Sequence, residues 1–167
     1  MKLLIVRHAD AGDSEEFART GKSDDQRPLS DKGHEQMRAA VHGLKKLVPS
    51  ADLIVTSPYT RARETAEIVR GQYGKVELEA SRTLEPEVEP SEFEAWLRAQ
   101  RDHEVVIAVG HEPHLSTLAT WLMTGSDDSR VELKKAGACL LVFDKRAKKG
   151  SGLLRWLMGP KELSALG

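Results

Sequence analysis

Two histidines and two arginines stand immediately after short apolar runs of this chain: Arg7-His8 after Leu3–Val6, Arg61 one helical turn beyond Thr56-Ser57-Pro58, and Gly110-His111 after Val105–Val109. Guanidinium groups offer planar, permanently charged forks that match the oxygens of a phosphate, and a neutral imidazole is a nucleophile at physiological pH. No pair of carboxylates and no cysteine accompanies them, so the set describes an anion site, and phosphoryl transfer is the chemistry it fits best. His8 would attack phosphorus in line to give a phosphohistidine that water then hydrolyses. Arg7, Arg61 and His111 would hold the equatorial oxygens, with His111 preferentially protonated beside the dianion. Arg63 is the weaker choice for the second arginine, because two residues along a helix rotate the side chain by about 200°.

These residues can converge only if the apolar runs are neighbouring strands. Leu3–Val6, Leu53–Val55, Val105–Val109 and Cys139–Phe143 read as buried strands, with a weaker candidate at Val76–Leu78. Helical patterns lie between them. Ser30 is placed to cap a helix carrying Met37, Val41, Leu44 and Val48 until Pro49 stops it. A second helix starts at Ser57-Pro58 and ends near Gly71, a third follows Pro90-Ser91, and a fourth follows Gly110-His111. Strand and helix in alternation give an α/β fold, expected as a three-layer αβα sandwich with a mostly parallel central sheet. The runs 136–143 and 153–157 read as a closing hairpin that brings in an antiparallel C-terminal strand. In such a sheet ligands bind outside the carboxyl ends of the strands, where the histidines and arginines stand. Residues Asp10–Leu29 show no periodicity and read as a functional loop or lid.

Composition sets outer limits. The chain has 167 residues, and its 25 Lys+Arg against 26 Asp+Glu exclude a strongly basic nucleic-acid binder. A single cysteine, Cys139, allows no internal disulfide, and the first apolar run stops at Arg7, too soon for a signal peptide or membrane span. A cytoplasmic protein of one domain, residues 1–167, with no nucleic-acid or membrane partner, is the expectation. Residues 77–94 hold seven acids against Arg82 alone, a solvated rim or else a docking surface for a basic partner. Lys145, Arg146, Lys148 and Lys149 read as a soluble hairpin tip. His34, His42 and His103 read as helix-face or strand-margin residues, His114 stands closer to the site, and Trp96, Trp121 and Trp156 read as packing residues.

Competing motifs fail. Gly21-Lys22-Ser23 ends like a P-loop, but position 16 is Glu where the first glycine is required. His111-Glu112-Pro113-His114 places its second histidine one residue too early for the zinc pattern H-E-x-x-H, so neither a metal nor another cofactor is indicated.

With Arg7-His8, the segment Ser57-Pro58-x-x-Arg61-Ala62-x-x-Thr65-Ala66 and Gly110-His111 in order, the chain resembles the histidine phosphatase superfamily, which is phosphoglycerate mutase-like in fold. It is most similar to the short branch, the SixA-type phosphohistidine phosphatases. Arg27-Pro28-Leu29-Ser30-x-x-Gly33 and Gly110-His111-Glu112-Pro113-His114-Leu115 are similar to two further segments of that branch. The resemblance implies His8 as the phosphorylated nucleophile and Arg7, Arg61 and His111 as the rest of the phosphate pocket. Arg27 is assigned to substrate binding, where it either meets the phosphate or braces the long loop. The usual R-H-G is Arg7-His8-Ala9 here, and the chain has no room for the helical insertions that cover the substrates of mutases. The implied partner is a protein carrying phosphohistidine; a small phosphate monoester is the alternative substrate, and an idle phosphate-binding module the alternative role. Glu112 and Glu85 both stay open as general acid.

Overall fold

The computed structural model describes residues 1–100 and 102–167. Among the described residues six strands form one sheet: β1 (Lys2–Arg7), β2 (Leu53–Thr56), β3 (Glu77–Ala80), β4 (Val105–Gly110), β5 (Ala138–Val142) and β6 (Leu153–Met158). Their spatial order is β3-β2-β4-β1-β5-β6, and β3, β2, β4 and β1 run parallel while β5 is antiparallel to both β1 and β6. This is the α/β, mostly parallel arrangement expected, with the hairpin closing one side.

Continuous apolar strands such as Leu3–Val6 are fully buried because the sheet is covered twice. On one face Leu4, Val6, Ile54, Ile107 and Val109 pack against α2 (Asp31–Leu47), α3 (Thr60–Tyr73) and α6 (Pro160–Leu166). On the other, Leu3, Ile5, Val55, Val106 and Ala108 meet α4 (Pro90–Ala99) and α5 (His114–Thr124). Burying each Leu, Ile or Val contributes about 1.5–3 kcal/mol, so the two apolar layers fix the strand register. That register sets Arg7 opposite Gly110 and Val109 opposite Thr56, so the last residues of β1, β2 and β4 reach the same edge.

Several boundaries differ from expectation. The helix after Ser57-Pro58 begins at Thr60 and runs to Tyr73, and the weak strand candidate is shifted to Glu77–Ala80. The long loop contains a short helix, α1 (Ser14–Ala18), capped by Asp13, and a 3-10 turn at Asp24–Gln26. The α6 helix has no counterpart in the sequence reading. It crosses α2 at Gly43, where a Cβ would stand 2.0 Å from the Leu163 carbonyl oxygen. At the basic tip, Lys149 does more than solubilise: its Nζ lies 4.0 Å from the centre of the Trp121 ring and its N–H donates to Glu94. No helix among the described residues is long and apolar enough to cross a membrane.

Candidate active site

At the carboxyl edge of the parallel strands lies a cleft of about 550 Å³ whose lining includes Arg7, His8, Arg27, Arg61 and His111. The strand ends bring these together. The His8 N–H donates to the Gly110 carbonyl at 3.0 Å, so the two histidine-bearing segments are tied by their backbones. His8 and His111 are 7% and 2% exposed, and their ring centres are 5.0 Å apart.

His8 is held as one tautomer. Its Nδ1 lies 2.7 Å from the Ala9 carbonyl oxygen, which can only accept, so Nδ1 carries the proton and Nε2 keeps its lone pair. Burial, with smaller contributions from Arg61, Arg7 and Arg27, pushes its pKa down to about 4, against the pull of the Ala9 hydrogen bond. The ring is therefore neutral at physiological pH. His111 pairs through Nε2 with Ser57 Oγ at 2.8 Å, and burial, then His8 and Arg61, push its pKa down to about 2. Burial thus favours the neutral ring of His111. A dianion beside it would raise the pKa.

Arg61 is 5% exposed on the inner side of α3, whereas Arg63 is exposed and lines a separate groove with His34 and Arg38. Arg7 donates from Nη1 to the Leu133 carbonyl at 2.8 Å. Arg7 Nε, Arg61 Nε and His111 Nδ1 are all buried without a hydrogen-bond partner among the described residues. Buried polar atoms are normally paired, and three orphans at one sheet edge suit a tetrahedral anion. Arg27 lines the cleft too, but donates to Asp24 Oδ1 at 2.8 Å and to the carbonyls of Ala11 and Gly12 at 3.1 and 3.2 Å, which also makes it a brace for its loop.

The neighbouring motif residues hold the frame. Thr65 is fully buried; its hydroxyl donates to the Arg61 carbonyl at 2.7 Å and accepts from the Ala9 N–H at 3.2 Å, joining α3 to the loop after β1. Ser30 caps α2 through the Gly33 N–H and donates to Asp10 Oδ2. Of the acids, Glu112 is half-buried on the lining, accepts from the Ser116 N–H, and has its pKa raised by burial. Glu85 instead pairs with Arg82 at 3.0 Å, outside the cleft, and it is Glu87 that stands on the rim. Asp24, Lys135 and Tyr59 also line the cleft and were not legible as site residues; Lys135 is engaged with Asp10 at 2.7 Å. Among the described residues no group of three or more His, Cys, Asp or Glu side chains is placed to hold a metal ion.

A cationic pocket with a neutral, lone-pair-bearing imidazole at the carboxyl edge of an α/β sheet defines a phosphoryl-transfer class. Residues 3–89 match the family model described as histidine phosphatase superfamily (branch 1). The chain is 34% identical over 140 residues to an uncharacterized protein of a Picosynechococcus species, covering 82% of each. It is 27% identical over 169 residues to the phosphohistidine phosphatase SixA of Escherichia coli, covering 98% of this chain and 96% of that one. A solved structure of the protein histidine phosphatase SixA complexed with tungstate superposes with a TM-score of 0.82 at 25% identity, over 98% of this chain and 99% of that one. A putative alpha-ribazole-5'-P phosphatase from Escherichia coli shares the fold at a TM-score of 0.76 and 16% identity, over 96% and 97% of the two chains. The chain belongs to the histidine phosphatase superfamily, and it is a phosphatase of the phosphoglycerate mutase-like fold.

Proposed function

We propose that residues 1–167 act as one phosphohistidine phosphatase domain in which His8 is the nucleophile. The carrying observation is the Nδ1 bond of His8 to the Ala9 carbonyl, which leaves the Nε2 lone pair free beside Arg7, Arg61 and His111. Nε2 attacks phosphorus, the bond to the substrate's leaving atom breaks, and that atom takes a proton as it departs. Water then attacks the phosphohistidine, phosphate leaves, and Nε2 regains its lone pair. Arg7, Arg61 and His111 hold the three equatorial oxygens, where charge is spread in the transition state. Arg27 keeps its loop against the cleft and adds positive potential to substrate binding.

Phosphohistidine on a protein is the substrate this pocket favours. An alkoxide leaving group needs a proton in the transition state, whereas imidazole departs readily once its ring is protonated from solvent. The similarity to SixA, described as a phosphohistidine phosphatase, points the same way. The test is a side-by-side assay of phosphate release from a phosphohistidine protein, a sugar phosphate and an aryl phosphate, with wild type, His8→Ala and Glu112→Gln. Phosphohistidine should be turned over fastest, His8→Ala should abolish all turnover, and Glu112→Gln should stay within a few-fold of wild type on phosphohistidine. Near-normal activity of His8→Ala would sink the nucleophile. Faster turnover of sugar phosphate with a large loss in Glu112→Gln would make this a small-molecule phosphatase with Glu112, half-buried on the cleft, as its acid.

A further inference from the structure

One carboxylate is already seated on the arginines of the cleft. Asp24 opens the 3-10 turn of the long loop, and Arg61 reaches it twice: Nη1 donates to its carbonyl oxygen at 2.7 Å and Nη2 meets Oδ2 at 3.0 Å. Its other carboxylate oxygen accepts from Arg27 Nε at 2.8 Å. The two guanidiniums, like charges that would otherwise face one another, are thus bridged by one anion at the lining of the pocket. The side chain of Asp24 is 51% exposed while that of Arg61 is 6% exposed, so the carboxylate covers the solvent side of a buried cation.

A brace and a counter-anion would look alike in these contacts, but they differ in what they do to a ligand. A pure brace orients Arg61 and leaves anion affinity intact or improves it. A counter-anion places a fixed negative charge on the same guanidinium, in the same cleft, that a phosphoryl group would use, and like charges sharing one cation repel appreciably, less so in salt. The charge of Asp24 is permanent under working conditions, since Arg27 and Arg61 hold its carboxyl below the usual range against the opposing effect of burial.

We propose that Asp24 is a specificity-determining residue: a built-in counter-anion, held between Arg61 and Arg27, that weakens the binding of free phosphate and of phosphate esters carrying a second negative charge beside the phosphoryl group. The consequence is selection for substrates whose leaving group is neutral or cationic, as an imidazole is, and faster release of the phosphate product. For turnover this rests on the phosphatase reading; for anion binding it does not.

The experiment compares wild type with Asp24→Asn and Asp24→Ser by calorimetric titration of inorganic phosphate at low and moderate ionic strength. Both variants should bind phosphate about tenfold more tightly, with the difference shrinking as salt is added. Asn retains an acceptor oxygen for a guanidinium and Ser removes the carbonyl-bearing group altogether, so a gain in both identifies lost charge as the cause. Unchanged or weaker phosphate binding in the two variants, each shown by its melting transition to be folded, would overturn the proposal and leave Asp24 a brace. In a second arm, kcat/KM for 3-phosphoglycerate relative to glycerol 3-phosphate should rise about tenfold in Asp24→Asn, mainly through KM. An unchanged ratio would overturn the selectivity. Were neither ester hydrolysed by wild type or variant, the claim that Asp24 selects among esters would fall, the phosphohistidine reading would stand, and the phosphate titration would still decide whether Asp24 is a counter-anion.

Discussion

Arg61 and Arg63 stand two positions apart on one helix, and the difference between them is a matter of phase. Arg61 is buried against the cleft with its Nε unpartnered, while Arg63 is exposed in another groove. Arg61→Ala should therefore lower kcat/KM by about a hundredfold or more, as expected when a buried donor to the transition state is removed, and Arg63→Ala should change it by less than about threefold. Measuring both on an aryl phosphate decides the matter, and the reverse order would mean that the phosphate does not sit where Arg61 and Arg7 meet. This pair was readable in the sequence because helix geometry converts spacing into direction. Asp24 was not, since a contact made from an irregular loop leaves no period to read.

At the scale of elements, the loop from Asp10 to Leu29 is pinned to α2 through Gly33. A Cβ there would stand 2.0 Å from the Asp10 carbonyl oxygen, and that same carbonyl accepts the Ser30 N–H at 2.9 Å. The clash is with backbone, so it cannot be relieved by rotating a side chain. Gly33→Ala should destabilise the fold by about 1–3 kcal/mol or more, seen as a lowered denaturation midpoint. An unchanged midpoint would show that the loop and α2 are free to separate. The same logic explains which elements the sequence disclosed. Strands covered on both faces have no polar interruption, so β1 and β4 were plain. Among the rest, β3 alternates Glu with Leu and Ala at a sheet margin, α1 and α6 are five and seven residues long, and neither length nor pattern distinguishes such segments from loop. Glu87 rather than Glu85 reaches the cleft because the 3-10 turn at Arg82–Leu84 ties Glu85 back to Arg82.

For the whole molecule, gathering neutral imidazoles inside a folded edge has a cost that pH reveals. Burial pushes His8 and His114 to about 4 and His111 to about 2, from an ordinary value of 6.5. A histidine whose folded pKa is depressed binds its proton only in the unfolded chain between those values, so its contribution to stability is present above pH 6.5 and is lost as pH falls toward the folded pKa. Asp10, held low chiefly by its hydrogen bond to Lys135, loses stability in the same direction at lower pH, while the raised pKa of Glu112 acts in the opposite sense. Between pH 7 and pH 5 a histidine lowered to about 4 withdraws about 2 kcal/mol, a sizeable share of the about 5–15 kcal/mol that holds a domain of this size, and all three histidines act in the same direction. Denaturant titrations at the two pH values should show that loss. His114 is the histidine on which to isolate it, because both its ring nitrogens are buried without partners among the described residues. His114→Gln keeps a polar side chain of similar reach but cannot take up a proton, so its loss of stability between pH 7 and pH 5 should be smaller than that of wild type by about 2 kcal/mol. An equal loss in the two proteins would show that His114 is protonated in the folded state, and that the histidine edge is wetter than its burial implies.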